Sequence, residues 1–307
     1  MIDLLNNLIE ENKKYIKDGH VATYIPALAK VDPNQLGISI VDLEKGKDYC
    51  AGDWNKKFAI ESVSKVITLI ISALDNGLDK VFDKIDTEPT GFAFNSIINM
   101  EINHRKKPTN PFVNAGAIAT TSLIKGNSSD EKIKRIIDFM KIITNNEDIY
   151  VNDEIYQSEK RTGDINRSLA YFMKGNNMIE GDIEHILDTY FMQCSVMITS
   201  LDLAKIGAVL ANGGILPWNN KMVIPRDLCT IVKSLMVTCG LYDESGSFAV
   251  HIGVPGKSGV GGGILASIPK KYGIGIFGPA IDVKGNSTAG LHLINDLSKK
   301  LDLNIFE

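Results

Sequence analysis

The chain has no uninterrupted apolar stretch of the roughly 20 residues that a bilayer-spanning helix needs, and no membrane partner is expected. Its opening, MIDLLNNLIEENKKYIKDGH, lacks a basic region followed by an apolar core and a small-residue cleavage site. No export signal is expected, and the expected compartment is the cytoplasm. Cysteine is scarce: Cys50, Cys194, Cys229 and Cys239 form no C-x-x-C pair and no zinc-type spacing. In a reducing compartment they read as buried thiols. The 5 histidines are scattered with no H-x-x-x-H, so no metal site is expected. Charge of one sign is nowhere concentrated. The formal net charge is −4 over 307 residues, well mixed, which argues against a nucleic-acid partner.

What is present is enough apolar material, 44% of the chain, for one large domain or two packed lobes. Residues 2–17 read as an amphipathic helix. LGISIVDLEKGKDYCAGD reads as a hairpin about Gly46. In FAIESVSKVITLIISALDNGL, residues Val63, Val66, Ile67, Ile70, Ile71 and Leu74 make one helix face, and Asn76-Gly77 is the stop. From about 80 to 240 helical runs dominate: around Val113–Lys125, Asp130–Asn145, Asn166–Lys174, Ile183–Met192, Ser200–Asn212 and Pro225–Met236. Ser200 is the expected N-cap of the fifth run, with Gly213-Gly214 as its stop. After 245 strands are expected again, in FAVHIGVPGKSGVGGGILASIP and KYGIGIFGP, with the turn Pro269-Lys270-Lys271 joining the last two. A final helix spans Ala289–Leu301. The expected architecture is α+β: an antiparallel sheet from the two ends of the chain with flanking helices, and an inserted all-helical lobe. The sheet lobe takes about 1–80 and 245–307, and the helical lobe about 81–244.

S-x-x-K occurs four times, at Ser62/Lys65, Ser122/Lys125, Ser129/Lys132 and Ser267/Lys270, so the pattern alone is a poor signal. Context separates the four. Pro269 interrupts the last pair, and no helical turn can bring its side chains together. Ser129 reads as a helix cap before a solvated charged face, and Ser122 ends a helix before Gly126. Ser62 follows a short strand-like run and begins a strongly apolar helix. There, residues three apart face each other with Cβ atoms about 5–6 Å apart. A lysine with a lowered pKa could take the serine's proton, and the helix N-terminus offers free N–H groups to a developing oxyanion. Far downstream, Lys257-Ser258-Gly259 opens a strand and resembles the K-[ST]-G signature of serine β-lactamases and penicillin-binding proteins.

The ordered set GHVATYIPALA, ESVSKV, EPTGFAFNSI, NPFVNAGAI, SEKRTGDINRSLAYFM, LDTYFMQCSVMITSLDLA, MVTCGLYDESGSFAV and PGKSGVGGGI resembles the bacterial serine-dependent glutaminases, which have the β-lactamase/DD-peptidase-like fold. The resemblance covers nearly the whole chain. It implies hydrolysis of L-glutamine by water to L-glutamate and ammonia through a glutamyl-serine intermediate, with no cofactor. It also implies a homodimer or homotetramer. Position by position, it implies Ser62 as nucleophile, Lys65 as its partner and Tyr242 as a proton relay. The backbone N–H of Val260, with that of Ser62, is the implied oxyanion hole. Tyr24, Asn114, Glu159, Asn166 and Tyr190 match the family's substrate contacts, and Ser62, Tyr242 and Val260 are implied to touch the substrate as well. Three side chains depart from the motifs: Thr23, Asp164 and Glu61, the last where a neutral, glutamine-like residue is expected. Without the resemblance, Asn114 and Asn166 read as helix caps, Tyr24 and Tyr190 as packed aromatics, and Glu159 as a surface carboxylate. Two other classes stay open: a penicillin-recognising hydrolase of the same fold, although no S-D-N motif is found, and a silent glutamine-binding protein.

Overall fold

A computed structural model of the chain describes residues 1–97 and 106–307. The N-terminal helix α1 (Ile2–Asn12) continues as a 3-10 turn to Asp18. Strands β1 (Gly37–Asp42) and β2 (Lys47–Gly52) form the expected hairpin. After the short β3 (Phe58–Ala59) and a 3-10 turn at Glu61–Val63 comes α2 (Ser64–Asn76), then α3 (Leu78–Lys84). The middle of the chain contributes α4 (Asn114–Ser122), α5 (Ser129–Thr144), β4 (Tyr150–Val151), α6 (Asp153–Thr162), α7 (Asp164–Gly175) and α8 (Ile183–Cys194). It continues with β5 (Val196–Ile198), α9 (Ser200–Ala211) and α10 (Arg226–Cys239). The chain ends with α11 (Ser245–His251), β6 (Gly256–Ser258), β7 (Gly263–Ile268), β8 (Tyr272–Phe277) and α12 (Thr288–Leu301).

The main sheet is antiparallel in the order β2-β1-β8-β7-β6, so its strands come from the two ends of the chain, as expected. One face is covered by α1 and α12. Leu5, Leu8, Leu293 and Leu297 pack there with Ile38, Ile40, Ile264 and Ile274 in one cluster. The other face is covered by α9, from the middle of the chain. Here the glycines of KYGIGIFGP acquire a reason. A Cβ on Gly275 would lie 1.9 Å from the Ser200 carbonyl oxygen, and one on Gly273 2.0 Å from that of Ala204. Only glycine lets the helix backbone come so close to the strand. A second and larger core joins α2, α4, α5, α7, α8 and α10.

Several details differ from the expectations. The N-cap of α9 is Thr199, in a capping box with Asp202. Ser200 instead ties the helix to the sheet, its Oγ 2.8 Å from Ser39 Oγ and bonded to the Trp54 carbonyl. The cap of α5 is Ser128, one residue before the expected Ser129. Lys132 does not lie on a solvated face: it is buried, and its Nζ donates to the Ser122 carbonyl at the end of α4. Residues 245–251 form a helix, not a strand. Phe248 and Ile252, four apart, are buried while Val250 is exposed, which is a helical and not an alternating period. Three two- or three-residue strands form a small antiparallel sheet, β3-β5-β4, too short for alternation to register in sequence.

Candidate active site

Ser62 lies in the 3-10 turn that feeds α2, not on the helix itself, and is almost fully buried. The turn is held by the Val63 N–H to the Ile60 carbonyl and by the Ser64 hydroxyl to the Glu61 carbonyl. The β6–β7 connection packs against it. A Cβ on Gly259 would lie 2.9 Å from the Ile60 oxygen, and one on Gly261 2.3 Å from that of Ala59. The glycines flanking Val260 thereby bring its backbone beside the serine. Two non-glycine residues here have left-handed backbones, Glu61 (φ 48) and Tyr242 (φ 54). Such strain costs on the order of 1–3 kcal/mol each and persists where the surroundings demand it.

Lys65 is wholly buried one turn beyond Ser62. Its Nζ donates to the Phe112 carbonyl (3.0 Å) and to Asn114 Oδ1 (2.7 Å). Burial pushes its pKa down to about 8, against the opposing pull of Cys194, Glu61 and Glu159. A neutral amine with both hydrogens engaged on these two acceptors keeps one lone pair free. The Asn114 amide in turn donates to Asn166 Oδ1 at 2.9 Å. The two asparagines therefore form a chain from Lys65 across α4 to α7. Neither is a cap: the N-cap of α4 is Val113 and that of α7 is Gly163.

The Tyr242 hydroxyl is buried without a hydrogen bond of regular geometry. Burial raises its pKa, while the adjacent Ser62 hydroxyl and Val260 N–H pull the other way. Its ring packs on Phe94 with centroids 4.6 Å apart, and Lys257 Nζ sits 4.7 Å from its centroid. Lys257 is fully buried, and burial and then the neighbouring Lys65 push its pKa well down. Ser258, next to it, turns away and donates to Asn286 Oδ1 at 2.6 Å, so it belongs to the scaffold.

A cavity of about 110 Å³ opens over Ser62, lined among others by Tyr24, Asn114, Glu159, Asn166, Tyr190 and Val260. Of the substrate contacts expected from the sequence, all but Tyr242 face this hollow; Tyr242 lines a separate one of about 80 Å³ that shares Phe94 with it. Larger hollows of about 410 and 460 Å³ lie elsewhere and gather no comparable set. Glu159 is buried on α6, a helix that sequence periodicity misses because its inward stripe, Ile155, Ser158 and Glu159, is mostly polar. Tyr190 is buried on α8, and burial pushes its hydroxyl pKa well up. Tyr24 is 57% exposed as a residue. Desolvation, and then the nearness of Tyr242, Glu61 and Glu159, nevertheless raise its hydroxyl pKa and keep it protonated.

Two residues of the site went unassigned in the sequence. Cys194 reads there as a buried apolar residue, and Glu61 as a departure from a motif. Their ligand atoms and those of Glu159 lie within 4.8 Å of one another. Burial drives the Cys194 thiol pKa well up, so it stays a thiol, which is a poor metal ligand. The arrangement can bury a serine, activate it with a depressed lysine and a tyrosine, and hold an oxyanion on two backbone N–H groups. Beside them it offers a carboxylate and neutral donors to a small polar molecule.

The family model described as Glutaminase matches residues 19–306. Glutaminase 1 of Clostridium perfringens is 60% identical over 302 residues, 98% of either chain. Among solved structures, a probable glutaminase from Bacillus subtilis complexed with 6-diazo-5-oxo-L-norleucine is 38% identical, with TM-score 0.91 over 99% of this chain and 97% of that one. The covalent complex of a Bacillus subtilis glutaminase with 5-oxo-L-norleucine, formed by reaction with the same diazo compound, is 37% identical, with TM-score 0.91 over 99% of each chain. Family match, near-full-length identity and superposition of the whole fold agree: this chain belongs to the glutaminases, with their serine β-lactamase-like fold.

Proposed function

We propose that glutamine hydrolysis in this chain is carried out by Ser62, Lys65 and Tyr242, with Val260 and Ser62 supplying the oxyanion hole. The reaction itself is L-glutamine plus water to L-glutamate plus ammonia. Ser62 Oγ attacks the side-chain amide carbon and gives its proton to the Lys65–Tyr242 pair. The negative oxygen of the tetrahedral adduct rests on the N–H groups of Ser62 and Val260. The C–N bond then breaks, the nitrogen takes the proton back and leaves as ammonia, and a glutamyl ester remains on Ser62. Water adds to that ester by the reverse proton path and frees glutamate. The observation that carries this reading is the buried Lys65, with its pKa near 8 and two acceptors fixing its hydrogens, one turn from a buried serine.

A base must be neutral to act. The Lys65 amine is protonated below its pKa, so kcat/KM should rise with pH through about 8, the value to which burial depresses it. A pH–rate profile between pH 6 and 10 checks this. A flat profile across that span would remove Lys65 as the base.

Glu159 reads the α-ammonium of free glutamine, while Tyr24, Asn114, Asn166 and Tyr190 supply neutral donors and acceptors. The support is that Glu159 lines the hollow and is buried, where a carboxylate needs a cationic partner. Hydrogen bonds to charged groups are worth roughly 1.5–3 kcal/mol. Glu159→Gln should therefore lower kcat/KM for L-glutamine at least about tenfold. N-acetyl-L-glutamine has no ammonium. It should be a poor substrate of the wild type and lose much less on mutation. Equal proportional losses for both substrates would make Glu159 a support of the fold instead.

The chain works as one glutaminase domain whose sheet and helical lobes meet at this site, in the cytoplasm. No helix among the described residues is long and apolar enough to cross a membrane. A homodimer or homotetramer is supported by exposed apolar side chains at Val250 and Phe306, on segments joined by the Ile305 N–H to the Gly253 carbonyl. Light scattering behind size exclusion distinguishes either from a monomer.

A further inference from the structure

Glu61 and Glu159 are the two buried glutamates among the described residues, and both line the hollow over Ser62. Their carboxylate oxygens lie within 4.8 Å of each other, and Oε1 of Glu61 is buried without a partner. Glu61 is held inward by a left-handed backbone (φ 48) on the residue just before Ser62. The cation near them, Lys65, has two of its three hydrogens engaged on Phe112 and Asn114. Two carboxylates this close in a buried site repel too strongly for both to ionise at neutral pH.

We propose that Glu61 and Glu159 share one proton as a carboxyl–carboxylate pair, in which protonated Glu61 donates to Glu159 and orients that carboxylate toward the substrate's ammonium. This rests on the reading of Glu159 given above. A pair with one proton carries one negative charge, matching one ammonium. It also explains why an acid can stand where a neutral, glutamine-like side chain is expected: the protonated carboxyl presents an O–H where an amide would present an N–H. Glu61 is then a positioning residue, acting through Glu159.

The titratable groups around the pair fit this assignment. From α8 come Cys194 and Tyr190, from the segment before β1 comes Tyr24, and from the 3-10 turn before α11 comes Tyr242. Burial raises the pKa of all four, so they stay neutral. From α2 comes Lys65, behind which stands Lys257 on β6. Burial raises both glutamates as well. The proximity of Glu159 and hydrogen bonding to it raise Glu61 further, hydrogen bonding from Glu61 pulls Glu159 down, and the charge of Lys65 pulls both down. Placing the proton on Glu61 leaves the pair's one negative charge on Glu159, the carboxylate read above as facing the ammonium.

Infrared spectroscopy reads the shared proton without using activity. The wild type, carrying ¹³C-labelled glutamate, should show at neutral pH a protonated-carboxyl C=O band shifted by the label. Glu61→Gln should abolish that band. Absence of the band in the wild type, or its survival in Glu61→Gln, overturns the proposal. Kinetics test the positioning role. Glu61→Leu, which loses the donor, should lower kcat/KM for L-glutamine at least tenfold, and Glu61→Gln, which restores one, should recover most of that loss. A Glu61→Gln variant as impaired as Glu61→Leu would mean that Glu61 acts as a second anion, and an unimpaired Glu61→Leu would mean that it does nothing. If Glu159 did not read the ammonium, the N-acetylglutamine comparison would fail while the infrared band stayed in place. If the proton were not shared, the band would be missing while that comparison still held.

Discussion

Ser62→Ala should give a folded protein with no measurable glutaminase turnover. The substitution removes one buried hydroxyl from the 3-10 turn ahead of α2. The turn itself is held by Val63, Ile60, Ser64 and Glu61, none of which loses a partner. The unfolding midpoint should therefore shift by no more than a change of about 1 kcal/mol produces. Activity is another matter. Without the hydroxyl there is no covalent intermediate, and loss of the nucleophile in a serine hydrolase costs on the order of 10⁶-fold in kcat. Steady-state ammonia release, with a melting curve on the same preparation, measures both. Turnover above a trace in a well-folded variant would mean that another group attacks the amide. Ser129→Ala and Ser267→Ala serve as controls, because their S-x-x-K pairs lie outside the site: Lys132 caps α4 and the Ser267 hydroxyl donates to the Gly207 carbonyl.

Tyr242→Phe should lower kcat by about 10²–10⁴-fold, the usual contribution of a general acid–base group, and change KM far less. The ring contacts with Phe94 and Lys257 survive the change, so the tyrosine's packing is kept. What goes is a hydroxyl beside Ser62 and the Val260 N–H. That hydroxyl makes no regular hydrogen bond in the free protein, and removing it strands no partner. The effect then reports on the reaction and not on the fold. Normal kcat with a raised KM would make Tyr242 a substrate contact and leave Lys65 to move the proton alone.

The parts of the molecule most legible in sequence were those with a dense apolar run or a turn residue to mark them. The apolar run of Val63, Val66, Ile67, Ile70 and Ile71 (Leu74, expected with them, is exposed) and the hairpin about Gly46 are such cases, as is the turn at Lys270, whose φ is 63. Legibility failed where buried side chains are polar or strands are short. Helix α6 hides its inward stripe in DEIYQSEKRT, so Glu159 looked like one more surface acid. Ser200 resembled a cap because its actual task, bridging to Ser39 across the sheet, is a long-range contact. Tyr242 was legible only through a resemblance, whereas Ser62 and Lys65 stood apart by context from the three other S-x-x-K pairs and took their roles from that resemblance. Glu61 shows the converse. The sequence marks it as out of place, and only the nearness of Glu159 gives a chemical reason for an acid there.

The central claim is that Ser62 forms the covalent bond to the substrate. The most direct measurement is peptide mass spectrometry after treatment with 6-diazo-5-oxo-L-norleucine, followed by fragmentation to locate the adduct. The account predicts a single 5-oxo-norleucyl adduct on Ser62, prevented by excess L-glutamine and absent from Ser62→Ala. An adduct on Cys194, the buried thiol in the same hollow, or on any residue other than Ser62, would contradict it.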